Sequence, residues 1–362
     1  MSSHWEFLTF PALNLYEKMR LAGGILYCQR VHDPSRLEKM RATDWLRRVF
    51  GNGVYRTIWE PLLESKYGAL KDEMPATIMW ATIRRYYGTR EKGGGRESLG
   101  CLSGGLRTLY AALERSITGH GGVIHCRAPV TAIDDSGPSI AVVTPKETLQ
   151  FDRVISTLPT ALLARIAPGV AGLAGEPGPR PRFLGVVCLS MVLARSLSPY
   201  YVLNLIERGF PFTGVIEVSN LTGPEELGGR HLVMLPRYEL PDSPLFDEPA
   251  ESIAARFLSA CRAVWPDIDD NLVRHFVHRE RMVQAMWIDG PPPPVQRPAL
   301  SLDGRIWSVN AELAGRDTLN NNAIVRVAGE AAAEWLDFHH AGGADVIPIS
   351  SRRAIPDSAF VS

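Results

Sequence analysis

No segment of this 362-residue chain places a Gly-x-Gly-x-x-Gly turn between a strand and a helix, so the usual backbone cradle for a dinucleotide pyrophosphate is missing from it. Gly93-Gly94-Gly95 sits between charged residues, and Gly119-His120-Gly121-Gly122 closes one expected element and opens another. Neither context suits a phosphate loop. Cys28, Cys101, Cys126, Cys188 and Cys261 are widely spaced and form no Cys-x-x-Cys pair, which points to reduced, apolar residues rather than a disulfide framework. His275 and His278 are three apart and His339-His340 adjacent, yet no His-Glu-x-x-His or Cys/His cluster completes a ligand set, and no metal is expected. Gly100-Cys101-Leu102-Ser103-Gly104 has its serine one place too late for a nucleophile turn, so hydrolase chemistry has no anchor. Lys and Arg, 39 together, cancel 39 Asp and Glu, which leaves nothing to attract nucleic acid over long range. The longest apolar runs, such as residues 183–193, are too short to span a bilayer. Residues 1–6 lack the basic start and apolar stretch of a signal peptide, and a cytoplasmic location is expected.

What is there is a chain large enough for two lobes. Hydrophobic residues at 45% and charged ones at 22% describe a folded globular protein rather than a disordered one. Leu15, Met19, Ala22 and Leu26 recur at helical spacing within residues 13–31, and Thr43-Asp44 ahead of Trp45-Leu46 reads as a helix N-cap. Residues 74–87 and 106–118 are helical again. In the second of these, Leu106, Leu109, Ala112, Leu113 and Ile117 share one apolar face, and Gly121-Gly122 stop it. Strands are expected at residues 123–126, 130–133, 140–143 and 153–156, separated by Asp, Gly and Pro turns. Residues 167–181, rich in Gly and Pro, predict a crossing between lobes. A second sheet follows from residues 184–193, 200–206, 214–218 and 231–238, with helices over 250–264 and 269–275 covering one face. Pro291 to Pro294 allow neither helix nor internal strand, residues 305–309 read as a buried strand, and 321–336 as a helix. The tail after Phe338 is polar enough to be loosely held.

Four phrases stand in a telling order: Leu102-Ser103-Gly104-Gly105-Leu106-Arg107-Thr108-Leu109, Gly121-Gly122-Val123, Pro129-Val130-Thr131-Ala132-Ile133 and Val154-Ile155-Ser156-Thr157-Leu158-Pro159. Their succession resembles the FAD-dependent amine oxidase, protoporphyrinogen oxidase and phytoene desaturase superfamily. Residues 59–68, Trp-Glu-Pro-Leu-Leu-Glu-Ser-Lys-Tyr-Gly, are similar to a helical substrate-domain motif of the protoporphyrinogen-oxidase-like branch, and Leu235-Pro236-Arg237-Tyr238 to one of its strands. Asp317-Thr318-Leu319-Asn320-Asn321-Asn322 resembles the closing flavin-contact motif. The resemblance covers all but the tail. It implies an α/β fold with an α+β substrate lobe interleaved with an incomplete FAD-binding lobe. The divisions expected are a helical part of the substrate lobe at 1–102, an FAD-lobe remnant at 103–166, the substrate-lobe sheet at 167–297, an FAD-lobe strand and helix at 298–338, and a loose tail at 339–362.

The same resemblance puts Val130 beside the adenine portion, Thr157, Leu158 and Pro159 near the edge of FAD, and Thr318, Leu319 and Asn320 near the flavin ring. A helix starting there would aim backbone N–H groups at charge gathering on the cofactor, although such residues also cap helices without any ligand. Lys66, Tyr67, Arg84, Tyr87 and Trp287 are candidates for the substrate pocket. Each has a plainer alternative: Lys66 as a helix C-terminal cation completed by Gly68, the Arg84 cluster as a solvated helix end, and Trp287 as a buried anchor. In full-length relatives the first strand, the Gly-rich turn and the ribose-binding acid would lie before Met1. The resemblance therefore implies an oxidoreductase that passes hydride from a C–H or C–N bond of a small organic substrate to flavin, either truncated at its N-terminus by a misassigned start or completed by a partner polypeptide carrying the nucleotide-binding segment. A cofactor-free relic serving as a binding subunit is the alternative.

Overall fold

The computed structural model describes residues 4–88, 100–169, 181–205, 207, 209–288, 304–314 and 321–340. Its first part is helical: α1 (His4–Thr9), α2 (Leu15–Arg30), α3 (Ala42–Phe50), α4 (Asn52–Val54), a π-turn at Tyr55–Trp59, α5 (Glu60–Tyr67) and α6 (Ala76–Gly88). Asn14 and Glu17 close a capping box on α2, each side chain accepting the other's backbone N–H, at 2.9 and 3.0 Å. These helices share a core of Trp45, Leu46, Phe50, Tyr55, Leu63 and Met74, all almost fully buried. The start of α3 differs from the Thr43-Asp44 expectation. Arg41 takes the N-cap position without a side-chain bond, because a backbone bridge to the 74–76 segment does the work: Ala42 N–H donates to Met74 C=O and Ala76 N–H to Met40 C=O. Thr43 is turned inward instead.

After α7 (Leu106–Gly119), β1 (Ala132–Asp134), β2 (Ile140–Val143) and β3 (Thr148–Phe151) form an antiparallel meander. β4 (Val154–Ser156) leads into α8 (Thr160–Ile166). The strand expected at residues 123–126 is not formed: Val123 and Ile124 are exposed and no strand among the described residues pairs with them.

The larger sheet contains β5 (Arg182–Leu193), β6 (Val202–Asn204), β7 (Gly214–Glu217), β8 (His231–Glu239) and β9 (Leu272–Met286), in the order β6-β7-β8-β5-β9 and antiparallel throughout. Two short helices, α9 (Ser219–Thr222) and α11 (Ile268–Asn271), flank α10 (Ala250–Val264), whose Ile253, Phe257 and Cys261 pack on Val187, Leu189 and Met191 of β5. The helix expected over 269–275 is corrected here. It ends at Asn271, and β9 takes over, because a long register against β5, from Leu193 with Leu272 to Arg182 with Met286, outweighs local helical spacing. Asn271 fixes the switch, its side chain accepting Arg195 N–H at 2.7 Å and donating to Arg195 C=O at 3.0 Å.

β10 (Ile306–Ser308) returns to pair in parallel with β4, residue 306 beside 154, although the whole five-stranded sheet lies between them in the chain. α12 (Asn321–His340) then covers Trp307 with Phe338, ring centroids 5.9 Å apart. This helix runs past Leu336, so residues 339 and 340 belong to it rather than to the tail. The protein is a mixed α/β structure. Gly93 to Gly95, the Pro291 to Pro294 run, Thr318 to Asn320 and most of the expected 167–181 crossing lie outside the described residues.

Candidate functional site

β4 and β10 both end in a buried serine, Ser156 and Ser308, and the loops that leave them are tied to one another. Val309 N–H donates to Ser156 C=O at 2.8 Å. Ser156 Oγ accepts Leu158 N–H at 3.3 Å, and Asn310 Nδ2 donates to Leu158 C=O at 2.9 Å and to Ser308 Oγ at 3.1 Å. Asn310 Oδ1 accepts Glu312 N–H at 2.8 Å. Glu312, only 8% exposed, receives Thr160 N–H and Thr160 Oγ1, each at 2.8 Å, which places its charge at the N-terminal turn of α8. Trp287 Nε1 donates to Glu312 C=O at 3.3 Å. A crevice at the carboxyl ends of adjacent parallel strands is where α/β sheets take nucleotide ligands.

Thr157, Leu158 and Pro159 follow β4 directly, with Thr157 and Leu158 exposed and Pro159 preceding α8. Val130 stands on the exposed lead-in to β1. The meander it enters is tied to β10 by Arg305, whose guanidinium donates to the carbonyls of Asp135, Gly137 and Pro138. Thr318, Leu319 and Asn320 lie outside the described residues.

A second feature lies where α5 meets the large sheet. Ser65 and Thr213 exchange hydrogen bonds, Thr213 Oγ1 donating to Ser65 C=O at 3.1 Å and Ser65 Oγ to Thr213 C=O at 3.4 Å. They set Lys66 Nζ over two rings, 5.2 Å from the centroid of Tyr67 and 5.6 Å from that of Tyr238. Tyr238 belongs to the sheet face opposite α10. In register with it and its neighbours come Val186, Cys188 and Ser190 of β5 and Glu280, His278 and Phe276 of β9. Burial raises the Cys188 thiol above its ordinary value, so it stays a neutral, apolar part of that face.

The other substrate-pocket candidates sit elsewhere. Arg84 stacks over Trp80 at 4.9 Å, and Trp80 Nε1 donates to Cys28 C=O inside the helical core. Tyr87 lies on α6, and its side chain is outside the description. Trp287 is buried and joins the Glu312 network rather than the Lys66 cluster. Glu312 and Asn310 were not legible as site residues, since an acidic side chain on a short turn ordinarily reads as solvated.

One parallel strand pair, one antiparallel meander, a five-stranded antiparallel sheet and the helices around them define a mixed α/β protein. The chain belongs to the flavin containing amine oxidoreductases, whose family model matches residues 1–186. Among solved structures it is similar to a candidate protoporphyrinogen oxidase from Exiguobacterium sp. 255-15, with TM-score 0.61 and 17% identity over 90% of this chain and 73% of that one. An oxidoreductase from Methanosarcina mazei gives TM-score 0.54 and 18% identity over 85% and 70% of the two chains. A double mutant of putrescine oxidase gives 0.57 and 15% over 91% and 77%. No curated protein matches the sequence. Among the described residues no helix is long and apolar enough to cross a membrane, and no three His, Cys, Asp or Glu side chains gather as metal ligands.

A flavin cofactor is what the family indicates, and the residues present fit part of it. At the end of β4 the backbone N–H and C=O of Leu158 are both engaged, by Ser156 Oγ and Asn310 Nδ2, so this segment is held in place whether or not a ligand is bound. The diphosphate is not provided for by any glycine-rich turn within these 362 residues.

Proposed function

We propose that this chain is the larger part of an FAD-dependent oxidoreductase that takes hydride from a C–H or C–N bond of a small organic molecule. In this reading the nucleotide-binding segment comes from outside these residues. The observation that carries the proposal is the β4–β10 pair, whose two buried serines end side by side and whose loops are locked by Asn310 and Glu312. Bound flavin would supply the two-electron acceptor. The chain supplies the rest: the Thr157 to Pro159 segment, which fixes where the cofactor edge stops, and the sheet face of Val186, Cys188 and Tyr238, which receives the substrate. Lys66, held on Tyr67 and Tyr238, orients a polar or anionic substrate group.

The test is the visible absorption spectrum of the purified chain, alone and after excess FAD and desalting, repeated with a dinucleotide-binding segment joined to it. A retained flavin band in either preparation supports the proposal. A folded chain that stays colourless in both overturns it and leaves the cofactor-free binding subunit as the reading to pursue.

A further inference from the structure

β9 is an edge strand: the order β6-β7-β8-β5-β9 leaves one of its sides without a partner among the described residues. Val273 is 51% and Phe276 45% exposed, and Arg274, His275, His278, Arg279 and Glu280 are exposed as well. An unpaired edge presents a row of N–H and C=O groups that another strand can complete. Two irregularities bound the regular part of this row. The register against β5 skips Val273 at one end, and at the other residues 281–283 bulge opposite Gly185 alone, where Glu280 accepts Met282 N–H at 3.2 Å. Between them, residues 274–280 run one to one against Val192 to Val186, and Val277 is their midpoint.

We propose that residues 274–280 pair antiparallel with the same segment of a second copy of this chain, about a twofold axis at Val277, and so join two five-stranded sheets into one. The inference is independent of the flavin reading. In an antiparallel ladder, opposed residues both turn their backbone groups toward the partner strand or both away, and the two orientations alternate along the strand. A twofold register therefore centres on a residue and opposes only residues an even number apart. Centred on Val277, it matches the whole regular segment and sets Arg274 of each copy against Glu280 of the other, giving two opposite-charge rungs on the face away from α10. Arg274 has no ion pair or hydrogen bond of its own among the described residues. Between those rungs Phe276 meets His278, a pair whose rings already lie 6.3 Å apart within one strand. On the other face Val277 meets its own copy, and His275 meets Arg279, whose guanidinium is turned to Glu248 C=O. A centre at Phe276 sets Arg274 against His278 instead, and centres at His275 or His278 shorten the match; none of the three opposes unlike charges. Charged side chains on an edge ordinarily keep strands apart. In this one register they become cross-strand partners.

Analytical ultracentrifugation of the full chain between about 1 and 100 μM tests the proposal, since a seam of one strand from each copy belongs to the weak end of protein interfaces. The chain is expected to pass from monomer to dimer over that range. Arg274→Glu opposes Glu280 with a like charge on both rungs and is expected to raise the dimer dissociation constant at least about tenfold. Adding Glu280→Arg restores unlike charges with their signs exchanged and is expected to recover the dimer. Thermal unfolding of Arg274→Glu at the dilute end should match that of the parent chain, because the side chain is exposed. Hydrogen–deuterium exchange on the unaltered chain locates the seam: protection that grows with concentration is expected at residues 274–280. A chain that stays monomeric throughout overturns the proposal. So does a dimer indifferent to Arg274→Glu, or one that the exchanged pair does not recover. Concentration-dependent protection at residues 106–119 in place of 274–280 also overturns it, since the exposed apolar stripe of α7 would then be the seam.

Discussion

Glu312 and Thr160, 152 residues apart, are joined by two hydrogen bonds of 2.8 Å, one from the threonine N–H and one from its hydroxyl. A single carboxylate thus caps α8 and pins the loop after β10 to the loop after β4. Glu312→Ala leaves the partly buried Thr160 N–H without its acceptor, and should lower unfolding free energy by about 1–2 kcal/mol. Urea denaturation measures it. Glu312→Gln keeps one acceptor and is expected to lose less than the alanine variant.

Gly304 has φ of +70°, and a Cβ there would run into the Phe338 ring. Gly304→Ala should therefore destabilise by about 1–3 kcal/mol, since both the backbone and the packing object. Combining it with Phe338→Ala is expected to recover part of the packing loss. An additive double mutant would show that the ring is not the obstacle.

Cys28 and Cys261 are pushed up from 9.0 to about 12 by burial, and Cys188 moves in the same direction for the same reason. Their neutral thiols favour the folded state. That contribution is fully present below the unfolded value of 9.0 and is lost as pH rises toward about 12. Stability should fall above pH 9.0 by up to about 1.4 kcal/mol per pH unit for each of the two thiols. At pH 8, alkylation followed by peptide mass mapping should find Cys101 and Cys126 modified in the native protein. Cys28, Cys188 and Cys261 should react only after denaturation, because only the first two are exposed.

Asn271 marks the change from α11 to β9. Asn271→Ala removes both side-chain bonds to the Arg195 backbone in a residue that is 3% exposed. A loss of about 1–3 kcal/mol is expected, with amide exchange rising first at the start of β9. Unchanged exchange there would assign the switch to the β5 register alone.

Much of this architecture was legible because hydrophobic period and turn chemistry agree locally. Four of the five strands of the large sheet, β5 to β8, and helix α10 fall where alternation and helical spacing put them. The failures share one cause. At 269–275 the helical spacing of a few residues lost to a long strand register that no window of that size contains. At 123–126 four β-prone residues found no neighbour, and a strand is defined by its partner. The site divides in the same way. Thr157 to Pro159 and Lys66 could be named from local phrases, whereas Asn310, Glu312 and Tyr238 matter only through contacts that residues far along the chain bring to them.

The parallel partnership of β4 and β10 also constrains the order of assembly. Residue 154 cannot find 306 until the intervening chain has become compact, because an unfolded loop of that length carries a closure entropy that a three-residue ladder does not recover. The five-stranded lobe, whose hairpin-like neighbours β7 and β8 are close in sequence, can form first and bring the two ends within reach. The β4–β10 seam would then be the last part of the described fold to form and the first to part, so early loss of the Glu312–Thr160 contact should precede global unfolding.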